Sequence, residues 1–141
     1  MELLDLSKEV AELLEILNSP ERLKRHLSIV HTTAFDILTR LKVEWPNLKM
    51  NQELILLGAA THDIGKTEIT DELFEGGKRH ELTGMTILLN HGFTDEQSRF
   101  ALTHGNWQDE SLNIEDLLVA LSDKIWNYLT YQKRLRNYLR S

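Results

Sequence analysis

The run Leu54-Ile55-Leu56-Leu57-Gly58-Ala59-Ala60-Thr61 ends in His62-Asp63-Ile64-Gly65-Lys66, and no other stretch constrains the fold as strongly. It is too short and too rich in small residues to cross a bilayer, so it reads as a helix buried in a core. At its end an imidazole and a carboxylate stand side by side, and such groups are costly to bury unless something pairs with them. Separate segments offer partners: His26, Asp123, and the pair His80 and His104. Convergence of these groups on metal satisfies all of them at once.

The rest of the chain has helical periodicity throughout. Val10, Leu13, Leu14 and Leu17 share one face of a helix over Leu6 to Leu17. Ser19-Pro20-Glu21 restarts the chain, with Ser19 as the cap, Pro20 in the first helical position and Glu21 at the positive helix end. A long helix then carries the stripe Leu23, Leu27, Val30, Ala34, Ile37, Leu38 and Leu41 to about Val43, and Trp45-Pro46 stops it. The third helix spans roughly Asn51 to His62, with Gly65 as its terminating glycine. Thr67 to Arg79 reads as a loop with one helical turn, and His80 to Asn90 as a fourth helix. Thr94-Asp95-Glu96-Gln97 has the form of a capping box opening a fifth helix to about His104. The last helix begins near Asn113 and runs towards the C-terminus. No segment alternates as a strand does. The expectation is an all-α bundle of about six helices in one domain, residues 1–141.

Composition narrows the function. A net charge of −6 gives no basis for binding a nucleic-acid duplex through its backbone. The absence of cysteine excludes disulfides and thiolate metal sites. Glu2 and Asp5 near the start do not suit a signal peptide, and no membrane span is visible, so a soluble, cytoplasmic protein is expected. The available metal ligands are imidazole nitrogen and carboxylate oxygen, which suit iron, manganese, cobalt, nickel or zinc.

A histidine on an early helix, then His62-Asp63-Ile64-Gly65-Lys66, then a late aspartate resembles the HD-domain metal-dependent phosphohydrolases. The early segment is His26-Leu27-Ser28-Ile29-Val30, and the late one Ala120-Leu121-Ser122-Asp123-Lys124. The resemblance spans residues 26–123 and implies that His26, His62, Asp63 and Asp123 hold one metal ion. His80 and His104 match extra histidines of family members with two metals, as in the HD-type dinucleoside-polyphosphate hydrolases. Asp63 would then bridge the ions. Several two-metal branches have a His-His pair where this chain has His104-Gly105.

His31 competes with His26, but five residues place them about 140° apart on a helix, so both cannot face one ion. His26 lies on the core-facing stripe and is preferred; His31 reads as a flanking polar group. His91, before Gly92, reads as structural. On the resemblance, Lys66 is expected to hold a substrate phosphate beside Asp63 as the catalytic pair; by itself it reads as a solvated lysine after a helix end, favourable to the helix dipole. Arg79 is a candidate phosphate contact and Trp107 a candidate stacking surface, each against a plain surface role. Lys133, Arg134, Arg136 and Arg140, with Tyr128, Tyr131 and Tyr138, suggest a basic face or a homodimer interface. The expected activity is hydrolysis of a nucleotide or related small phosphate ester. The competing readings are a non-catalytic regulatory module that keeps the metal site, a di-iron oxygenase, and a bundle without metal.

Overall fold

Why a chain with this much helical periodicity folds around one short segment is visible in the computed structural model, which describes residues 2–140, with the side chains of 128–132 outside the description. Seven α-helices and two 3-10 turns are present among the described residues, with no strand. Helix α1 is Lys8–Ile16, α2 Glu21–Glu44, α3 Gln52–Thr61, α4 Arg79–Asn90, α5 Asp95–Ser98, α6 Phe100–Thr103 and α7 Ile114–Arg140. The 3-10 turns occupy Ile64–Thr67 and Thr70–Leu73.

The count exceeds the expected six because the fifth helix is interrupted at Arg99 and forms α5 and α6. The interruption is slight, since Arg99 keeps helical dihedrals. Its guanidinium is held by Asp116 Oδ1 at 2.9 Å. The capping box forms as expected: Thr94 Oγ1 accepts from the Gln97 N–H, and Gln97 Oε1 from the Thr94 N–H.

Helix α3 is the central element. Ile55 and Ala59 bury one side of it with Val30, Phe100 and Val119, while Ala60 joins Leu14, Leu27 and Leu88 on the other. Contact on both sides explains why this helix is apolar nearly all round. Its neighbours therefore bring their inward faces to its C-terminal end, where His62 is completely buried.

Two expectations about helix ends are corrected. Ser19 does not cap α2. Pro20 occupies the N-cap without a side-chain bond, and the Ser19 hydroxyl lies 2.8 Å from that of Thr67. A long-range partner has taken the hydroxyl that a local cap would use. Gly65 is not the terminator of α3, which ends at Thr61 with His62 as its C-cap. Gly65 sits in the first 3-10 turn with no positive φ, and a Cβ there would lie 1.9 Å from the His80 carbonyl oxygen. It is required for close approach of backbones rather than for chain reversal.

Candidate metal centre

Five helices and a 3-10 turn deliver six side chains to one place. His26 comes from the second turn of α2, His62 from the C-cap of α3, and Asp63 from the residue after it. His80 lies in the first turn of α4, His104 at the C-cap of α6, and Asp123 midway along α7. The preference for His26 over His31 agrees with this placement. His31 is turned away, in the wall of a separate cavity with Leu54 and Thr94.

The six form two groups that share Asp63. In the first, His26, His62, Asp63 and Asp123 each offer a ligand atom within 4.8 Å of the others; in the second, Asp63, His80 and His104 do so. The two oxygens of Asp63 divide between them. Oδ2 lies 3.2 Å from His26 Nε2 and 3.5 Å from His62 Nε2. Oδ1 lies 3.2 Å from His80 Nε2 and 3.2 Å from His104 Nε2. Asp123 Oδ1 completes the first group at 3.4 Å from both His26 and His62.

The ring orientations have local causes. His62 Nδ1 lies 2.9 Å from the Ala59 carbonyl and His104 Nδ1 2.8 Å from the Phe100 carbonyl, each in the last turn of its helix; the Phe100 carbonyl also accepts the His104 backbone N–H. A proton on Nδ1 donates to that carbonyl and leaves Nε2 as the acceptor facing the centre. His80 is oriented differently, through Nδ1 at 2.8 Å from Glu72 Oε1.

Glu72 is the residue that sequence reasoning missed. It lies in the second 3-10 turn, is buried, and also accepts from the backbone N–H groups of His80 and Arg79. Burial alone would raise its pKa, but the bonds to His80 and to these N–H groups hold it at about 2. The only sequence signal is an acid shortly before His80, and Asp71 and Glu75 beside it carry the same signal.

The donor atoms fit a metal. His26 Nε2, His62 Nε2, His80 Nε2 and Asp123 Oδ1 are buried and make no hydrogen bond. Buried polar atoms left unpaired are uncommon and costly. Their 3.2–3.5 Å spacings are close to the roughly 3.0–3.4 Å that separates donors each about 2.1 Å from one tetrahedral or octahedral ion. Electrostatics agree. Burial alone would raise the Asp63 pKa, but His62, His104, His26 and His80 hold it well below the carboxylate range. Burial alone would lower the pKa of His26, but Asp123 and Asp63 raise it to about 9.

The HD-domain family profile matches residues 7–128. The chain belongs to the HD-domain family. The match covers every residue of the centre, and the family consists generally of metal-dependent phosphohydrolases whose domains bind divalent metals. The chain matches no curated protein and no solved structure.

The remaining candidates occupy different places around the centre of this HD domain. Lys66 Nζ lies 3.0 Å from Asp63 Oδ2 and lines a cleft with His26. Arg79 is turned away from that cleft, paired with Asp71 and Glu72, so it braces the Glu72 turn. Trp107 lies outside the cleft as well, with Lys124 Nζ 5.4 Å from its ring centre. His91 holds the Ile87 carbonyl at 2.8 Å, in keeping with a structural role. Tyr138, Lys133, Arg136 and Arg140 are exposed on the last turns of α7, and the side chains of Tyr128 and Tyr131 lie outside the described residues. No helix is long and apolar enough to cross a membrane among the described residues.

Two arrangements hold the groups in register. Gly65 and Gly84 let the first 3-10 turn lie directly on α4, fixing Asp63 against His80. Asp116 accepts from Arg99 and Thr103, which fixes α6, and with it His104, to α7, which carries Asp123.

Proposed function

We propose that this HD domain is a phosphohydrolase acting on a nucleotide or related small phosphate ester, with two divalent transition-metal ions sharing Asp63. The division of the two Asp63 oxygens between the histidine groups is the observation that carries this reading. His26, His62 and Asp123 would hold one ion, and His80 and His104 the other. Nitrogen and oxygen donors without thiolate suit iron, manganese, cobalt, nickel or zinc.

Bound divalent metal supplies Lewis acidity, lowering the pKa of water towards about 7 and neutralising charge on phosphate oxygens. The protein's own groups do the positioning. Asp63 stays ionised at neutral pH, because the surrounding histidines favour its charged form. It orients the attacking water in line with the departing ester oxygen. The water oxygen bonds to phosphorus and gives up a proton to solvent, the phosphorus–oxygen ester bond breaks, and the leaving oxygen takes up a proton from solvent. Lys66 keeps one N–H on Asp63 and has two more for the phosphoryl oxygens. As a point charge it steadies negative charge through the transfer.

Asp63→Ala tests the reading. Loss of both metal binding and hydrolysis of phosphate esters is expected, because the variant removes the ligand common to both groups. Hydrolysis retained by that variant would overturn the mechanism.

A further inference from the structure

The cleft beside Lys66 has a cavity of about 390 Å³, within the range of small-ligand sites. Three cations reach it from three elements: Arg22 from α2, Lys66 from the first 3-10 turn, and Arg134 from α7. Among the described residues no carboxylate lines it, although the chain as a whole is acidic. Neither Arg22 nor Arg134 is paired with a carboxylate among the described residues. The Arg22 guanidinium lies instead 4.7 Å over the ring of Phe74, an arrangement that leaves its N–H edge for an anion. Trp126 and Asn127 form the α7 wall between Asp123 and Arg134.

Helix geometry ties the cleft to the centre. Arg22 is four residues before His26 on α2, and Trp126 three after Asp123 on α7, so each lies on the same face one turn away. Arg134 is eleven residues beyond Asp123, which returns it to within about 20° of the same stripe, roughly 16 Å along the axis. Its side chain leans back towards the helix N-terminus, and so towards the cleft. Lys66 thus stands beside Asp63, while Arg134 belongs to a helix position about three turns beyond Asp123. A row of cations spread over that length of cleft suits a chain of phosphates. Trp126 lines the same cleft and supplies an aromatic group for a planar ring.

We infer that this cleft is a nucleoside-polyphosphate subsite, in which Arg22 and Arg134 hold phosphates beyond the one at Lys66 and Trp126 stacks the base. The inference rests on the phosphohydrolase reading only for which phosphate lies at the metal centre. It makes Arg22, Arg134 and Trp126 the residues that select a polyphosphate nucleotide over a monophosphate.

Calorimetric titration of the full-length, metal-loaded protein tests this with analogues whose bridging and ester oxygens are replaced by methylene. The probes are the adenosine triphosphate analogue, the adenosine monophosphate analogue, and the tripolyphosphate analogue without nucleoside. The triphosphate analogue is expected to bind at least tenfold tighter than the monophosphate one. Arg22→Ala and Arg134→Ala should each weaken triphosphate binding about tenfold or more and leave the monophosphate analogue nearly unchanged. Trp126→Ala should weaken the nucleotide analogues about fivefold or more, spare tripolyphosphate, and be rescued by Trp126→Phe. Arg22 and Arg134 are exposed, so their variants should fold. Equal affinity for mono- and triphosphate, or unchanged binding in the variants, would overturn the subsite. Ester hydrolysis accompanied by such flat affinities would overturn the subsite and leave the phosphohydrolase reading. The expected affinities without turnover under any divalent metal would do the reverse.

Discussion

Replacing Gly65 by alanine should loosen the metal centre from a distance. A Cβ at this position would meet the His80 carbonyl oxygen at 1.9 Å and the Gly84 nitrogen at 2.7 Å. Both are backbone atoms, so no side chain can swing aside. Real Cβ atoms essentially never approach closer than 3.0 Å, so the 3-10 turn and α4 must separate by about 1.1 Å. Overpacking of this kind costs about 3 kcal/mol at the upper end, and a Gly→Ala change returns about 0.7 kcal/mol through the unfolded chain. The net is about 2 kcal/mol. For 141 residues the unfolding entropy is about 0.3 kcal/mol/K, so Tm should fall by roughly 7 °C. The same displacement draws Asp63 Oδ1 away from His80 Nε2, now at 3.2 Å. Metal affinity of the His80 and His104 group should then fall about 10–100-fold, a penalty comparable to losing an outer-shell partner. Thermal melts and metal titrations read both effects. Gly76→Ala is the control, since nothing lies within 4 Å of a Cβ there and its Tm should stay within about 2 °C. A Gly65→Ala protein that melts and binds metal like wild type would refute the argument from close approach.

Glu72→Gln should weaken metal binding by the His80 and His104 group about 10–100-fold while sparing the His26 group, because His80 loses the carboxylate that fixes its ring. Competition titrations with a chromophoric chelator would show it; a uniform loss at both groups would count against that role. The metal-free protein should become less stable as pH rises from 6.5 to 9. Folding raises the pKa of His26 from 6.5 to about 9, so its contribution is complete below 6.5 and is lost as pH passes through 9. Asp63 and Asp123, with lowered pKa values, are ionised in both states across this window and do not offset the change. Thermal melts in chelator at pH 6.5 and 9 check this, and a flat or rising Tm contradicts it.

What the sequence makes legible follows from the range of the interactions involved. The helices come from apolar periodicity, which is local, and α2, α4 and α7 begin and end within a few residues of expectation. His26 could be chosen over His31 because a helix face is set by spacing alone. The errors lie where a residue's partner is far away in the chain. Ser19 looked like a cap, but its hydroxyl meets Thr67, 48 residues on. Gly65 looked like a helix terminator, yet the contact that requires glycine is with His80 and Gly84 on the next helix. Glu72 was hidden among neighbouring acids, and only its burial against His80 sets it apart. Trp126 and Arg22 belong to no motif and raised no expectation. Their signal was their phase: one turn from Asp123 and one turn from His26.

The most direct test of the shared-carboxylate centre is metal content per chain, measured by mass spectrometry on protein purified without chelator and then reconstituted. Two ions per chain are expected in wild type, one in His80→Ala and in His104→Ala, and none retained in Asp63→Ala. No bound ion in reconstituted wild type, or an unchanged content in the His80 and His104 variants, would contradict it.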